Sequence, residues 1–277
     1  MKEIKIEYIF FIFLAFSLSI FVKSLRQYFF LKQISIKISF KENIIIYLAG
    51  LSMIISPGGM GEIIKSHFLR ENHNISISKT SPIVLIERYH DALAIFSILV
   101  VFQLIKNIEI LTIPIYLVGI VLISCLILVK NRKILDKITS KLTKIRFLKK
   151  FKNNSKEFNE TVFSLSSKKS IFYGWTLSLV AWFFDAVGIF LCFVAFGIEF
   201  DFILSTIIGF SSIFFGAISF LPAGIGVTEI SFVHLLLPYG IELSVATALV
   251  IFIRLCSIWY ATLIGIIAVK FAFKKFN

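Results

Sequence analysis

Two short segments of this chain, Ser56-Pro57-Gly58-Gly59-Met60-Gly61-Glu62 and Leu221-Pro222-Ala223-Gly224-Ile225-Gly226-Val227-Thr228-Glu229, are variants of one motif, each set between two apolar stretches. Proline removes a helical hydrogen bond and glycine admits backbone that other residues avoid, so neither segment continues a helix. In hydrocarbon, broken backbone persists only where protein buries it or a watery cavity receives it. An arginine follows each motif at nearly equal distance, Arg88 at 31 residues from Pro57 and Arg254 at 32 from Pro222. The pattern predicts two interrupted hairpins around a polar site inside a membrane.

Composition supports the membrane setting. The 277 residues are 58% hydrophobic with a mean hydropathy of +0.92, which no ordinary soluble domain reaches. At about 20 residues per crossing there is length for six to eight crossings or half-crossings, roughly, and no room for a separate soluble catalytic domain. The net charge is +13, and residues 130–169 account for most of it, with 13 Lys/Arg against Asp136, Glu157 and Glu160. A charge excess confined to one interior loop marks a cytoplasmic face meeting anionic lipid, and argues against a nucleic-acid partner. Cys125, Cys192 and Cys256 form no metal-ligand spacing and read as small buried hydrophobes.

The first apolar run, Tyr8 to Val22, predicts a helix continuing to about Phe30. It is expected to be a retained span rather than a signal peptide, because no small-x-small site follows and Lys23, Arg26 and Lys32 read as a stop-transfer flank. Residues 43–55 are too short to span alone, and Glu62 to Leu69 resumes after the break, with basic residues on both sides. This predicts a re-entrant hairpin opening to the cytoplasm. Ser81-Pro82 is expected to start a helix reaching about Ile105, and residues 110–129 to return inward. Ile134, Ile138, Leu142, Ile145, Leu148 and Phe151 recur every three or four residues among Lys and Arg. That spacing suits an amphipathic helix on the inner leaflet, with a solvated linker as the alternative. Residues 170–196 cross outward, Phe202 to Phe220 enters again, Pro222 to Gly226 breaks, Val227 to Leu237 returns, and 244–270 cross inward.

The expected fold is therefore an all-α polytopic membrane protein, one transmembrane domain over 1–277. Repeat one covers about 8–105, a connecting span 110–129, the basic cytoplasmic segment 130–169, and repeat two about 170–270. The plan is an inverted-topology repeat with two re-entrant Pro/Gly-broken hairpins, the N-terminus outside and the C-terminus cytoplasmic.

Ionisable side chains inside spans are costly and so point to paired or functional groups. Glu62, Glu87, Arg88, Asp91, Asp185, Glu229, His234 and Arg254 qualify. Glu87, Arg88 and Asp91 can share a helical face, and a pairing of Arg88 and Arg254 with Glu62 and Glu229 is expected. Two roles stand open for this network: buried ion pairs that hold the bundle, or a partly exposed site for a headgroup. Gly58, Gly59, Gly61, Gly224 and Gly226, with Pro57 and Pro222, would leave helix N-termini aimed at mid-membrane with free N–H groups for a phosphate. Lys65 is a phosphate candidate or a cytoplasmic flank. His67 and His73 fall on an expected cytoplasmic loop, and no histidine spacing forms a metal site. No cofactor is implied. Trp182 and Trp259 read as packing, with a cavity wall as the alternative.

These residues resemble the lysylphosphatidylglycerol synthase transmembrane, or flippase-like, family over nearly the whole chain. The resemblance rests on Pro57-Gly58-Gly59-Met60-Gly61-Glu62 leading to Lys65, on Glu87-Arg88-Tyr89-His90-Asp91, on Leu221 to Glu229, and on Arg254. The family's first motif usually continues to an arginine where Lys65 stands, which keeps the charge without the bidentate fork. The resemblance implies translocation of modified phospholipids or related lipid-linked anionic substrates, such as polyprenyl phosphates, across the cytoplasmic membrane. It also implies no lysyltransferase chemistry, since that belongs to a separate soluble domain. The alternative is a membrane partner that docks a separate lipid-modifying enzyme or glycosyltransferase through 130–169.

Overall fold

The computed structural model describes residues 5–106, 109–142 and 155–273, apart from the side chains of 109–114, 138 and 142. Its helices are α1 (Glu7–Gln33), α2 (Phe40–Leu51), α3 (Ile64–His73), α4 (Ile77–Lys106), α5 (Glu109–Lys130), α6 (Arg132–Leu142), α7 (Ser155–Leu165), α8 (Lys168–Ala195), α9 (Phe202–Ile218), α10 (Val227–Leu236), α11 (Leu243–Arg254) and α12 (Tyr260–Ala272). A 3₁₀ turn, Met60–Ile63, leads into α3, and a π segment, Leu255–Trp259, joins α11 to α12 without a break. The spans Glu7–Gln33, Lys168–Ala195 and Leu243–Ala272 are each long and apolar enough to cross a membrane.

Local chemistry sets several helix starts. Ser39 accepts from the Glu42 N–H at 3.2 Å and Asp201 from the Leu204 N–H at 2.8 Å, each satisfying an orphan donor of the first turn. Ser76 does the same for Lys79 at 3.2 Å, so α4 begins at Ile77 and not at Ser81-Pro82 as expected. Pro82 lies just beyond the first turn, where it leaves the Ser78 carbonyl without its helical donor and crowds it with the ring.

The apolar core divides in two. One cluster joins α1, α8, α9, α10 and α11 through Ile12, Phe16, Ile189, Phe193, Phe210, Phe232 and Leu249. The other joins α1, α2, α3, α4 and α7 through Phe30, Leu31, Ile46, Phe68, Ile83 and Leu165. Between them runs a belt of buried polar groups, with Ser19, Arg26 and Gln27 on α1, Glu87 and Asp91 on α4, and Ser178 and Asp185 on α8. Buried polar groups in such packing need partners, and Arg26 finds Asp91, Gln27 finds Asn43 and Glu87 finds Lys65.

The basic segment is more structured than the periodicity of 134–151 indicates. α6 turns 92° away from α5, and Ile145, Leu148 and Phe151 lie outside the described residues. α7 was not expected as a helix, yet Val162 and Leu165 are buried in the second cluster. The Asn159 amide donates to Asp136 at 2.6 Å and to Thr139 at 2.9 Å, tying α7 to α6. Phe158, Val162 and Leu165, spaced i, i+4, i+7, were the legible sign of that face.

α2 packs along α12 at van der Waals distance because Gly265 has no side chain. A Cβ there would stand 2.2 Å from the Ser52 backbone nitrogen, with no flexible group to give way. Gly265→Ala is expected to lower stability by about 1–3 kcal/mol, read as a lower midpoint of thermal unfolding in detergent. An unchanged midpoint would show that α2 and α12 are not in rigid contact.

Candidate functional site

The two motif loops touch. Pro57 and Pro222 form an isolated antiparallel bridge, the one extended pairing among the described residues. Proline has no N–H, so such a bridge closes through flanking residues. The backbone after each proline is the same, left-handed twice over: Gly58 at φ 60° and Gly59 at 67°, Ala223 at 53° and Gly224 at 64°. An alanine in that region costs about 1 kcal/mol, which the second loop bears. The two loops thus share their left-handed residues and face each other through their prolines.

Many of the loop N–H groups are bonded within the loops, so fewer are free at the helix starts than the sequence predicts. In the first, the N–H groups of Gly59, Met60 and Glu62 donate to the Ser56, Pro57 and Gly59 carbonyls, and that of Gly61 to the Ser56 hydroxyl. In the second, those of Gly224, Ile225 and Thr228 donate to Leu221, Pro222 and Gly224, and Gly226 donates to Glu229 Oε2 at 2.7 Å. Tight turns consume the donors that a straight helix start would leave open. The full positive charges at the site come from side chains.

Each arginine leans on its own loop. Arg88 donates to Glu62 Oε1 and lies 3.7 Å from Asp91, and its Cζ lies 3.5 Å from where a Gly59 Cβ would be. Arg254 pairs with Glu229 at 2.8 Å and donates to the Ala223 carbonyl at 2.6 Å. Lys65 is buried rather than a flank. Its ammonium bonds Glu62 at 3.0 Å and Glu87 at 2.6 Å beneath the Tyr47 ring, sealed from the cavity.

Part of the belt was missed. Arg26, read as a cytoplasmic flank, is fully buried and donates to Asp91 Oδ1 at 2.6 Å and to the Ser178 hydroxyl. Lys23, read likewise, bonds Asp185 at 2.7 Å and sits 4.5 Å from the Trp182 ring centroid. The readable signal was helical spacing, since Ile12, Phe16, Ser19, Lys23, Arg26 and Phe30 follow one face of α1. Trp182 is not mere packing: its indole N–H donates to Asp91 at 3.1 Å.

Between the loops and the belt lies a cavity of about 280 Å³. Of the expected site residues, Gly58, Gly59, Arg88, Asp91, Gly224 and Arg254 line it, joined by Lys23, Trp182 and Asp185. Pro57, Gly61, Glu62, Lys65, Glu87, Pro222, Gly226 and Glu229 do not line it; Glu62, Lys65 and Glu87 are buried beside it, and Pro57 and Pro222 are exposed. His67 and His73 lie on α3 rather than in a loop, His73 against Glu42. Cys192 and Cys256 are buried, but Cys125 is exposed on α5. No group of three metal-ligating side chains occurs among the described residues.

Fold and site together define an all-α, multi-pass membrane protein with a charged cavity at the junction of two broken-helix loops. The family model for the lysylphosphatidylglycerol synthase transmembrane region matches residues 1–265, and the chain belongs to that family. It is 27% identical to a UPF0104 membrane protein of Pyrococcus horikoshii, over 96% of this chain and 87% of the relative. A UPF0104 membrane protein of Methanocaldococcus jannaschii is 25% identical over 76% of this chain and 89% of its own. No solved structure matches the chain at a significant level.

Proposed function

We propose that the protein binds the phosphate-bearing headgroup of a lipid in this cavity and carries it between leaflets, as a flippase-like carrier. The observation that carries the reading is that Arg88 and Arg254, each held by its own motif loop, face one shared cavity beside the Pro57–Pro222 bridge. Guanidinium groups match phosphate oxygens in geometry and charge. The Arg88 side chain retains 34% exposure despite its ion pairs, so it has donors left for a ligand. The mixed lining, polar at the arginines and apolar at Phe16, Ile20, Ile189 and Phe232, suits a headgroup with the start of its acyl chains.

In this reading the two loops are re-entrant hairpins of an inverted repeat, the basic segment 130–169 lies against the anionic inner leaflet, and the N-terminus is outside. The headgroup is that of a phospholipid or a polyprenyl-phosphate-type lipid, and no reaction is performed on it. Lipid extracted from the purified protein and identified by mass tests the binding step. A phosphate-bearing lipid is expected at near one copy per chain, and reduced severalfold in Arg254→Ala. Recovery of bulk membrane lipid in unchanged proportions from both proteins would count against a headgroup site. The alternative, a docking partner for a separate lipid-modifying enzyme, predicts that Arg254→Ala leaves capture of that enzyme through 130–169 unaltered.

A further inference from the structure

The ion pairs of the belt and loops balance. Lys23, Arg26, Lys65, Arg88 and Arg254 stand against Glu62, Glu87, Asp91, Asp185 and Glu229, five positive charges to five negative. A monoanionic headgroup entering a neutral site of low dielectric leaves one negative charge uncompensated, which burial makes costly. A compensating positive charge has to arrive with it.

The carboxylates are not equally placed to supply it. Glu62 and Glu87 are fully buried against Lys65, behind the cavity wall. Asp91 is held from three sides, by Arg26, Arg88 and the Trp182 N–H. Glu229 is held by Arg254 and the Gly226 N–H, also off the wall. Asp185 lines the cavity, and its one cationic partner among the described ion pairs is Lys23. From the elements around it, Asp185 meets Lys23 and Ser19 of α1, with Asp91 and Arg88 of α4 and Arg254 of α11 on the same cavity. α9 carries no ionisable side chain.

We propose that Asp185 is a proton-binding site and that a monoanionic phosphate headgroup enters the cavity together with one proton taken up there. The inference rests on the headgroup reading above. A hydronium ion or buffer acid of the bulk solution gives its proton to an Asp185 oxygen, leaving water or the buffer base behind; the Lys23–Asp185 ion pair opens, and no covalent bond other than O–H forms. Lys23 keeps its place over the Trp182 ring, where cation–π attraction holds it at the cavity, and becomes the free cation that meets the phosphate. The site goes from neutral to one positive charge, the headgroup brings one negative charge, and the sum is zero.

The test is calorimetric titration of the purified full chain in detergent with dihexanoyl-phosphatidylglycerol, between about pH 5 and 9, in buffers of different ionisation enthalpy. About one proton is expected to be taken up per lipid bound, and apparent affinity to fall up to about tenfold per pH unit above the Asp185 midpoint. Asp185→Asn, which mimics the protonated state, is expected to bind with no proton uptake and a flat pH profile. Binding by the wild-type chain with no proton uptake at any pH overturns the proposal and leaves the headgroup reading standing. So does an Asp185→Asn variant that keeps the pH dependence, or preferential proton-free binding of dihexanoyl-phosphatidylcholine, whose headgroup carries its own cation. No phospholipid binding at any pH ends both. The wild-type proton count needs no variant, so a misfolded Asp185→Asn protein does not shield the idea.

Discussion

Arg88→Ala is expected to lower lipid movement between leaflets in proteoliposomes by about ten- to a hundredfold, the equivalent of a lost charged hydrogen bond at about 1.5–3 kcal/mol. The prediction depends on the arginine being dispensable to the fold while exposed to the cavity. Its partners are each held a second time: Glu62 by Lys65 at 3.0 Å, Asp91 by Arg26 at 2.6 Å. Removing Arg88 therefore strands neither carboxylate, and thermal unfolding should shift little beside the transport loss. Arg88→Lys keeps the charge and forfeits the planar fork, so it should fall between the two. Transport by Arg88→Ala at the wild-type rate, with protein quantity matched between vesicles, would remove the arginine from the carrier cycle. Glu229→Gln gives a milder loss through Arg254, which would keep its bond to the Ala223 carbonyl.

The largest stability effect belongs to a residue that never reaches the cavity. Arg26→Ala should destabilise the protein by about 3–5 kcal/mol, because it leaves Asp91 with its nearest remaining cation 3.7 Å away at Arg88. It also strips the Ser178 hydroxyl of its donor, so α1, α4 and α8 lose the group that joins them. Replacing the pair together, Arg26→Met with Asp91→Leu, should recover much of the loss, since packed apolar groups of similar volume substitute well for a buried ion pair. Unfolding midpoints of the single and double variants in one detergent check both statements. A single variant as stable as wild type would mean that water reaches Asp91 and the belt is not sealed.

Much of the molecule was legible in advance for a common reason: hydrophobic runs and Pro/Gly interruptions are local properties. Tyr8 to Phe30, 170–196 and 244–270 correspond to α1, α8 and the α11–α12 span. The two loops were readable because glycine suits their left-handed backbone best, Ala223 adopting it at a cost. The errors arose where a residue's role depends on what faces it. Lys23 and Arg26 look like a charged flank when read outward from the apolar run ending at Val22, and only α4 and α8, distant in sequence, supply Asp91 and Asp185. Lys65 likewise looks cytoplasmic until α4 brings Glu87 to it. Gly265 carried no mark of its closeness to Ser52.

By itself the sequence determined that the chain is an all-α membrane protein, that two motifs break it, and which charges lie within apolar segments. Those properties follow from side-chain transfer energies and backbone sterics, which each residue carries with it. The tertiary structure alone decided that the prolines meet, that many of the loop N–H groups are bonded within the loops, and that Lys23 and Arg26 belong to a polar belt between two apolar cores. Partner choice in a low dielectric is settled by distances of a few ångströms between helices, and no local reading of the chain contains them.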